Sequence, residues 1–184
     1  MKTKKSFRML IVCFMMLLAF STCAYAKKPS KSKVRKKYKA YIAKEIKGKD
    51  PKVKEFGGKA TYRDINGDGI EELFYCKYGY VYPMIEVCTY KKGKVKLAGS
   101  FPASGGIQYN SKKNRIFVSS KAAVGTVYWV YKLSGTKLKL KAQYRNGSLC
   151  MGEKYGHKNN KRISGEQFNK EIAKYLKWKS LPIW

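Results

Sequence analysis

The sequence predicts an α+β fold, a mainly antiparallel β-sheet of about eight short strands flanked by an N-terminal and a C-terminal helix. Three observations carry that prediction. Apolar residues recur at helical spacing from Val34 to Ile46, strand-like runs separated by turn residues follow from Ala60 to Tyr144, and a second helical pattern opens at Ser164 behind a capping signature. At 184 residues, 44% of them hydrophobic, the chain has the size and apolar content of one domain with tails, and it is too apolar to be disordered throughout.

The first 26 residues have the three parts of a secretory signal. Lys2, Lys4, Lys5 and Arg8 form a basic start, Met9 to Phe20 form an apolar run, and Ala24-Tyr25-Ala26 satisfies the small-residue cleavage rule. The apolar run is too short for the roughly 20 residues that span a bilayer. Cleavage leaves Lys27 as the new amino terminus. A lipid-carrying Cys23 fits less well behind Phe20-Ser21-Thr22, and an uncleaved membrane anchor is the other alternative. The expected organisation is a signal peptide over 1–26, a basic flexible arm over 27–32 and a single domain over 33–184.

Without the four signal cations, 37 basic residues stand against 11 acidic ones, a net charge of +26. Solubility needs only roughly 2 to 8 charges on a small domain. Such a field attracts polyanions, and export makes an acidic cell-surface or wall polymer, or anionic lipid headgroups, a better expectation than nucleic acid. The alternative is a lysine-rich composition without a dedicated partner. Lys27, Lys28, Lys31, Lys33, Arg35, Lys36 and Lys37 are the densest candidates for polyanion contact.

The segment KKPSKSK has no apolar face and is expected to be a mobile arm. From Lys33, residues Val34, Tyr38, Tyr41, Ile42 and Ile46 form the stripe of a short amphipathic helix ending near Gly48. Two of these five anchors are tyrosines, so the stripe suits a protein core better than a membrane.

After Asp50-Pro51 come ATYRDI, ELFYCKYG, MIEVCTY, KVKLAGSF, GIQYN, RIFVSS, TVYWVYKL and KLKLKAQY, with SKKN and SGT as tight turns. Eight segments at this spacing imply a largely antiparallel sheet, with a curled or barrel-like form as one arrangement open to it. In KLKLKAQY, lysines alternate with apolar residues, as in a strand with one wet face. Farther on, Ser164 and Gln167 are placed for a capping box, and Ile163 and Phe168 for a hydrophobic staple. Phe168, Ile172, Tyr175 and Leu176 form the expected buried stripe of that helix, with Trp178 and LPIW tucked against the sheet.

One segment departs from the basic character of the chain. Within nine positions, Asp64, Asp68, Glu71 and Glu72 supply four of the eleven acidic residues. Asp64, Asn66, Asp68, Ile70 and Glu72 fall at positions 1, 3, 5, 7 and 9 of a D-x-N-x-D-G-x-x-E loop, with Gly69 at position 6. Alternate oxygens in a tight turn can converge on Ca²⁺, which takes six to eight hard oxygen ligands, and the Ile70 carbonyl can add a backbone oxygen. Position 12, where an EF-hand carries a bidentate glutamate, is Tyr75, and the flanks read as strands, so this is not an EF-hand. The alternative is a hairpin turn using Asn66-Gly67 and Asp68-Gly69 for their tolerance of positive φ, its acids compensated by lysines such as Lys59 and Lys77.

This loop resembles the calcium loops of FG-GAP and VCBS-type blades, D-x-[DN]-x-D-G-x-x-[DE] followed by an apolar strand. YRDINGDGIEELFY is closer still to the segment Y-x-x-x-D-x-[DN]-x-D-G-x-x-E-L of a set of small secreted bacterial proteins. TYKKGKVKL, GGIQYNSKKNRIFVSS and NNKRISGEQFN resemble the later segments of that set, so the likeness covers most of the chain. It implies an extracellular single domain with a calcium-stabilised hairpin, and it implies no reaction.

For catalysis the sequence offers little. His157 is the only histidine, in the polar run YGHKNNKR, and is expected in an exposed loop. If the loop acids hold calcium, a carboxylate pair would have to come from Glu55, Glu86, Glu153, Glu166 or Glu171. Tyr75, Tyr78, Tyr80 and Tyr82, or Tyr128, Trp129 and Tyr131, could stack on sugars or bases, although alternation sends half of such residues into a core. Cys76 and Cys88 could pair across a hairpin, leaving Cys150, or all three could be buried thiols. The expectation is therefore a secreted, non-enzymatic, calcium-stabilised domain held electrostatically on acidic envelope or extracellular polymers. The alternatives are an enzyme acting on an envelope polymer and a signal-anchored membrane-associated protein.

Overall fold

A computed structural model of the protein describes residues 28–47, 59–77, 83–122, 125–148 and 154–182. The signal segment, Lys27, Glu55, Tyr78, Tyr80, Tyr82, Cys150, Glu153 and Trp184 lie outside them. Helix α1 spans Lys31–Ile46, and the Ser30 hydroxyl caps it by accepting from the Lys33 N–H at 3.3 Å. It therefore starts two residues before the expected start at Lys33, taking in Lys31 and Ser32 of the expected arm. The cap sets the start, and the stripe shows only where burial begins.

All eight expected strands form. β1 (Ala60–Arg63), β2 (Glu72–Cys76), β3 (Met84–Lys91) and β4 (Lys94–Pro102) make an antiparallel sheet in chain order. β5 (Gly106–Asn110), β6 (Arg115–Ala122), β7 (Gly125–Ser134) and β8 (Lys137–Ser148) continue into a second sheet. The segment SKKN folds as a 3-10 turn over Ser111–Lys113, closed by Asn114 in the left-handed region.

Three further strands were not expected: β9 (Lys154–Lys158), β10 (Lys161–Ser164) and β11 (Lys179–Ser180). The second sheet thus has seven strands in the order β10-β9-β8-β7-β6-β5-β11. β9 and β10 join through Asn159 and Asn160, both at positive φ (49° and 67°), as a tight two-residue hairpin requires. Their lysines and arginines hide them from a hydrophobic pattern. Neither sheet closes on itself, so the architecture is two stacked open sheets rather than a barrel. Helix α2 (Gly165–Leu176) follows β10 and carries the full capping box between Ser164 and Gln167.

Alternation along the strands builds four layers. In β2, Leu73 and Tyr75 pack against Val34, Tyr38 and Ile42 of α1, while Phe74 and Cys76 face the second sheet. All five residues of β2 are buried because both of its faces are covered. In the second sheet, Ile116 and Val118 join the core between the sheets, and Phe117 turns outward to Phe168 and Ile172 of α2. The order is α1, four-stranded sheet, seven-stranded sheet, α2.

A bulge refines this alternation in β8. Tyr131 pairs with Leu140 and Val130 with Ala142, leaving Lys141 as the extra residue. Leu138, before the bulge, packs into the inter-sheet core, whereas Ala142 and Tyr144, after it, pack under α2. One added residue reverses which side the apolar positions face. The lysines of KLKLKAQY are exposed as expected, but Leu140 is also half-exposed at the bulge.

Leu176 corrects the expected stripe of α2, being 58% exposed. At 100° per residue it lies about 80° around the helix from Phe168, while Ile172 and Tyr175 lie nearer that line. Helix α2 sits so close over β9 that a Cβ at Gly156 would overlap the Phe168 ring. Cys76 and Cys88 are both buried thiols on opposite faces of the four-stranded sheet, one toward the inter-sheet core and the other toward α1. That placement excludes a bond between them.

Candidate metal centre and adjoining cavity

The acidic segment forms the connection between β1 and β2, fastened at both ends. Ile65 is fully buried in the inter-sheet core, and Ile70 packs on the α1 side. With its amide nitrogen turned to its two acceptors, Asn114 donates to the Asn66 carbonyl at 3.2 Å and to the Ser111 carbonyl at 2.9 Å. A contact from the second sheet therefore also holds the loop.

Inside the loop the side chains organise the backbone. Asp64 accepts from the Gly67 N–H at 2.7 Å through one oxygen and from the Gly69 N–H at 2.9 Å through the other. Asn66 Oδ1 accepts from Asp68 N–H, and Asp68 Oδ1 from Ile70 N–H. Gly67 and Gly69 have φ of 74° and 83°, so the turn needs glycine at both places. Glu72 reaches back, accepting from the Ile65 N–H at 2.8 Å and from Asn66 Nδ2 at 2.9 Å.

The four carboxylates divide into two functions. Glu71 binds Arg35 of α1 through two short bonds of 2.8 and 2.9 Å, with Lys31 at 3.8 Å, so it docks the helix. Asp64, Asp68 and Glu72 make no ion pair among the described residues. Lys77, one of the expected compensating lysines, instead pairs with Glu86 at 2.6 Å and Glu45 at 3.7 Å. Burial pushes the Glu72 carboxyl up to about 8, and the nearby charges of Asp68 and Asp64 push the same way. The loop thus gathers the Asp64 and Asp68 carboxylates beside a Glu72 carboxyl that burial keeps from ionising readily, with no lysine or arginine paired to them among the described residues.

The donor set fits Ca²⁺ in kind. Each carboxylate oxygen that accepts one N–H keeps further lone-pair capacity, and Asp68 spends only one of its two oxygens. Asp64, Asn66, Asp68, Glu72 and the Ile70 carbonyl would hold the ion, which would supply the missing countercharge. As they stand in this structure, no group of three or more acidic, histidine or cysteine side chains is gathered at metal-binding distance among the described residues.

The loop opens into a cavity of about 570 Å³. Asn66, Asp68, Ile70 and Glu72 line one side; Lys28, Pro29 and Lys33 at the start of α1, the β3–β4 hairpin, and Gly135 and Thr136 between β7 and β8 line the rest. Sequence reasoning missed the hairpin residues, since no local pattern joins positions 28, 66, 90 and 135.

Of the expected polyanion contacts, Lys28, Lys31, Lys33, Lys36 and Lys37 are exposed. Arg35 is exposed too, but is engaged by Glu71 and lies 5.1 Å from the centre of the Tyr62 ring. His157 is not in a loop: it is a half-buried residue of β9, opposite Arg145 on one side and Arg162 on the other. Gln143, Arg145, His157 and Asn160 line a second cavity of about 190 Å³. Glu86 lies under α1, where Tyr41 donates to it at 3.2 Å, and Glu171 is carried by α2 itself, where Tyr144 of β8 donates to it at 2.9 Å. These two acids are in opposite halves of the molecule and do not face one cleft.

The two docking acids predict acid sensitivity. Hydrogen bonds from Arg35 hold the Glu71 carboxyl below its ordinary value, and bonds led by Lys174 hold Glu171 down at about 2. Both are lower folded than unfolded, so their contribution is full above about 4.5 and is lost as the pH falls toward 2. Urea unfolding at pH 5 and pH 2.5 is expected to show a large loss of stability at the lower pH. In Glu171→Gln part of that loss is already present at pH 5, so its pH dependence is shallower; an unchanged slope would remove Glu171 as a cause.

Fold and site together define an α+β protein of two stacked antiparallel sheets between two helices, with an acidic loop beside a basic-rimmed cavity. No protein-family model, curated protein or solved structure matches the chain.

Proposed function

We propose that this is a secreted, non-enzymatic domain, stabilised by Ca²⁺ in the Asp64–Glu72 loop, that associates electrostatically with acidic polymers of the cell envelope or its surroundings. One observation carries the second half. Glu71, Glu86 and Glu171 are each bonded to lysine or arginine within the fold, while the lysines of α1, β8 and α2 are largely exposed. The exposed lysines are thus the groups that an acidic polymer would meet, and the secreted chain, without Lys2, Lys4, Lys5 and Arg8, carries a net charge of 37 − 11 = +26.

Electrostatic retention has a characteristic salt dependence, because each neutralised charge of a polymer releases a counterion. Retention on an immobilised anionic polymer is expected to fall steeply between low salt and about 0.2 M. Charge reversal at Lys36 and Lys37 should lower the slope of that fall. Retention that is insensitive to salt would sink the proposal.

A further inference from the structure

We propose that the cavity of about 190 Å³ on the larger sheet is a binding site for one phosphate group of an extracellular polymer. This deepens the proposed function, rests on its acidic-polymer half and makes no use of the acidic loop. Register places the site. Arg145 of β8 lies opposite His157 of β9, so the two side chains stand on one face of the sheet. Gln143, two residues before Arg145, shares that face. Tyr144 between them packs under α2 with Ala142, so the cavity opens on the side turned away from α2. The four-stranded sheet meets β8 on that side near the start of the strand, where Leu138 lies against Gly99 of β4. Arg145 is about 20 Å farther along the strand at roughly 3.3 Å per residue. It is exposed there.

The site is also fixed before any ligand arrives. The Asn159 N–H donates to the Gln143 carbonyl at 2.9 Å, and the Gln143 N–H donates to Asn159 Oδ1 at 2.8 Å. These two bonds fasten the β9–β10 hairpin to β8. Asn160, the next residue of that hairpin, thereby lines the cavity beside Gln143 and Arg145. A preformed site loses less ordering entropy on binding.

The lining selects the ligand. Gln143, Arg145, His157 and Asn160 all carry N–H donors, and none carries a carboxylate. The guanidinium offers five donors in a planar fork, each carboxamide two and the imidazole at least one. That is more than the two oxygens of a carboxylate require, and it suits the three or more oxygens of a phosphate group, which the fork can engage bidentately. Among the described residues Arg145 makes no ion pair, whereas Arg35 is engaged by Glu71. The volume is below the roughly 300–1,000 Å³ of sites for larger small molecules, so it fits one anionic group. Arg162 of β10, opposite His157, continues the row to the edge of the sheet. A chain crossing the strands would have room on either side of the bound group. The exposed lysines would retain the polymer, and this cavity would read its phosphate.

Isothermal titration calorimetry with glycerol 3-phosphate, a short synthetic oligo(glycerol phosphate) and acetate tests the site, with co-sedimentation on phosphatidylglycerol vesicles alongside. Saturable binding of both phosphate esters is expected, with acetate at least tenfold weaker. Arg145→Gln should weaken binding tenfold or more, and Arg145→Lys, which keeps the charge and loses the fork, at least threefold. Lys139→Gln, which removes a charge at an exposed position earlier on β8, should stay within twofold. Vesicle binding should be the same in the parent and in Arg145→Gln. Equal losses in Arg145→Gln and Lys139→Gln, or acetate binding as tightly as the esters, would reduce the site to part of a diffuse field and overturn it. Arg145-dependent binding to vesicles with none to the oligomer would assign the phosphate to a lipid headgroup and overturn the polymer assignment. Salt-dependent retention on an anionic polymer with no saturable ester binding would overturn the cavity proposal alone. Saturable ester binding by a protein whose retention ignores salt would overturn the polymer reading and leave the phosphate site standing.

Discussion

Ca²⁺ is expected to raise the midpoint of thermal unfolding relative to chelator, and Asp68→Ala is expected to abolish the increase. A ligand that binds only the folded state at 100 times its dissociation constant stabilises by about 2.7 kcal/mol. For a domain of this size each kcal/mol moves the midpoint by about 2–4 °C, so a shift of several degrees is expected. Asp68 is the informative position because its side chain is exposed and makes one local bond, to the Ile70 N–H. In chelator the variant should therefore melt close to the parent protein. Asp64→Ala would be less clean, since it also releases the Gly67 and Gly69 N–H groups. Identical curves with and without Ca²⁺ would reduce the loop to a turn held by its own side chains.

The largest loss of stability is expected from Phe74→Ala. Phe74 is completely buried at the centre of the core between the sheets, with Ile85, Val87 and Phe101 on its own sheet and Ile116, Val118 and Leu133 opposite. Truncating a buried phenylalanine costs about 3–5 kcal/mol, from lost transfer energy and the cavity left behind. Because both sheets share this core, the loss should appear as one cooperative shift in urea unfolding. Leu176→Ala, chemically similar but 58% exposed, should change stability by no more than about 0.5 kcal/mol. Comparable effects at the two positions would contradict the layer assignment.

Much of the fold is legible along the chain because its causes are local. Val34, Tyr38 and Ile42 recur every four residues, and all three are buried in α1. Ser164 and Gln167 stand three apart, and they form the reciprocal cap of α2. The strands β1 to β8 announce themselves by apolar content and turn residues. β9 and β10 do not, because KYGHK and KRIS owe their strand state to pairing with β8, whose length offers a template. His157 was misplaced with them, since a residue in a charged segment reads as loop until its neighbour in the sheet is known.

The candidate site shows the same division. The spacing of Asp64, Asn66, Asp68 and Glu72 marks a loop that can bring oxygens together, and the backbone bonds within it follow from residues two to seven positions apart. That Glu71 leaves this group to bind Arg35 was invisible, because its partner lies 36 residues earlier on another layer. The assignment of Cys76 and Cys88 to opposite faces likewise depends on which side of β2 and β3 meets α1.

The sequence by itself determined the class of fold, the helix and strand segments with strong periodicity, the acidic loop and the positive charge. Each is written in residues close enough to interact through one turn or one pleat. Only the tertiary structure decided that the strands divide into two stacked sheets, that Lys77 serves Glu86 instead of the loop, and that Thr89, Tyr90 and Lys91 meet the loop around one cavity. Those outcomes depend on register, on a single bulge residue at Lys141 and on which faces two sheets turn to each other. Such choices are settled by packing a shared core, where contacts between distant segments outweigh local preference.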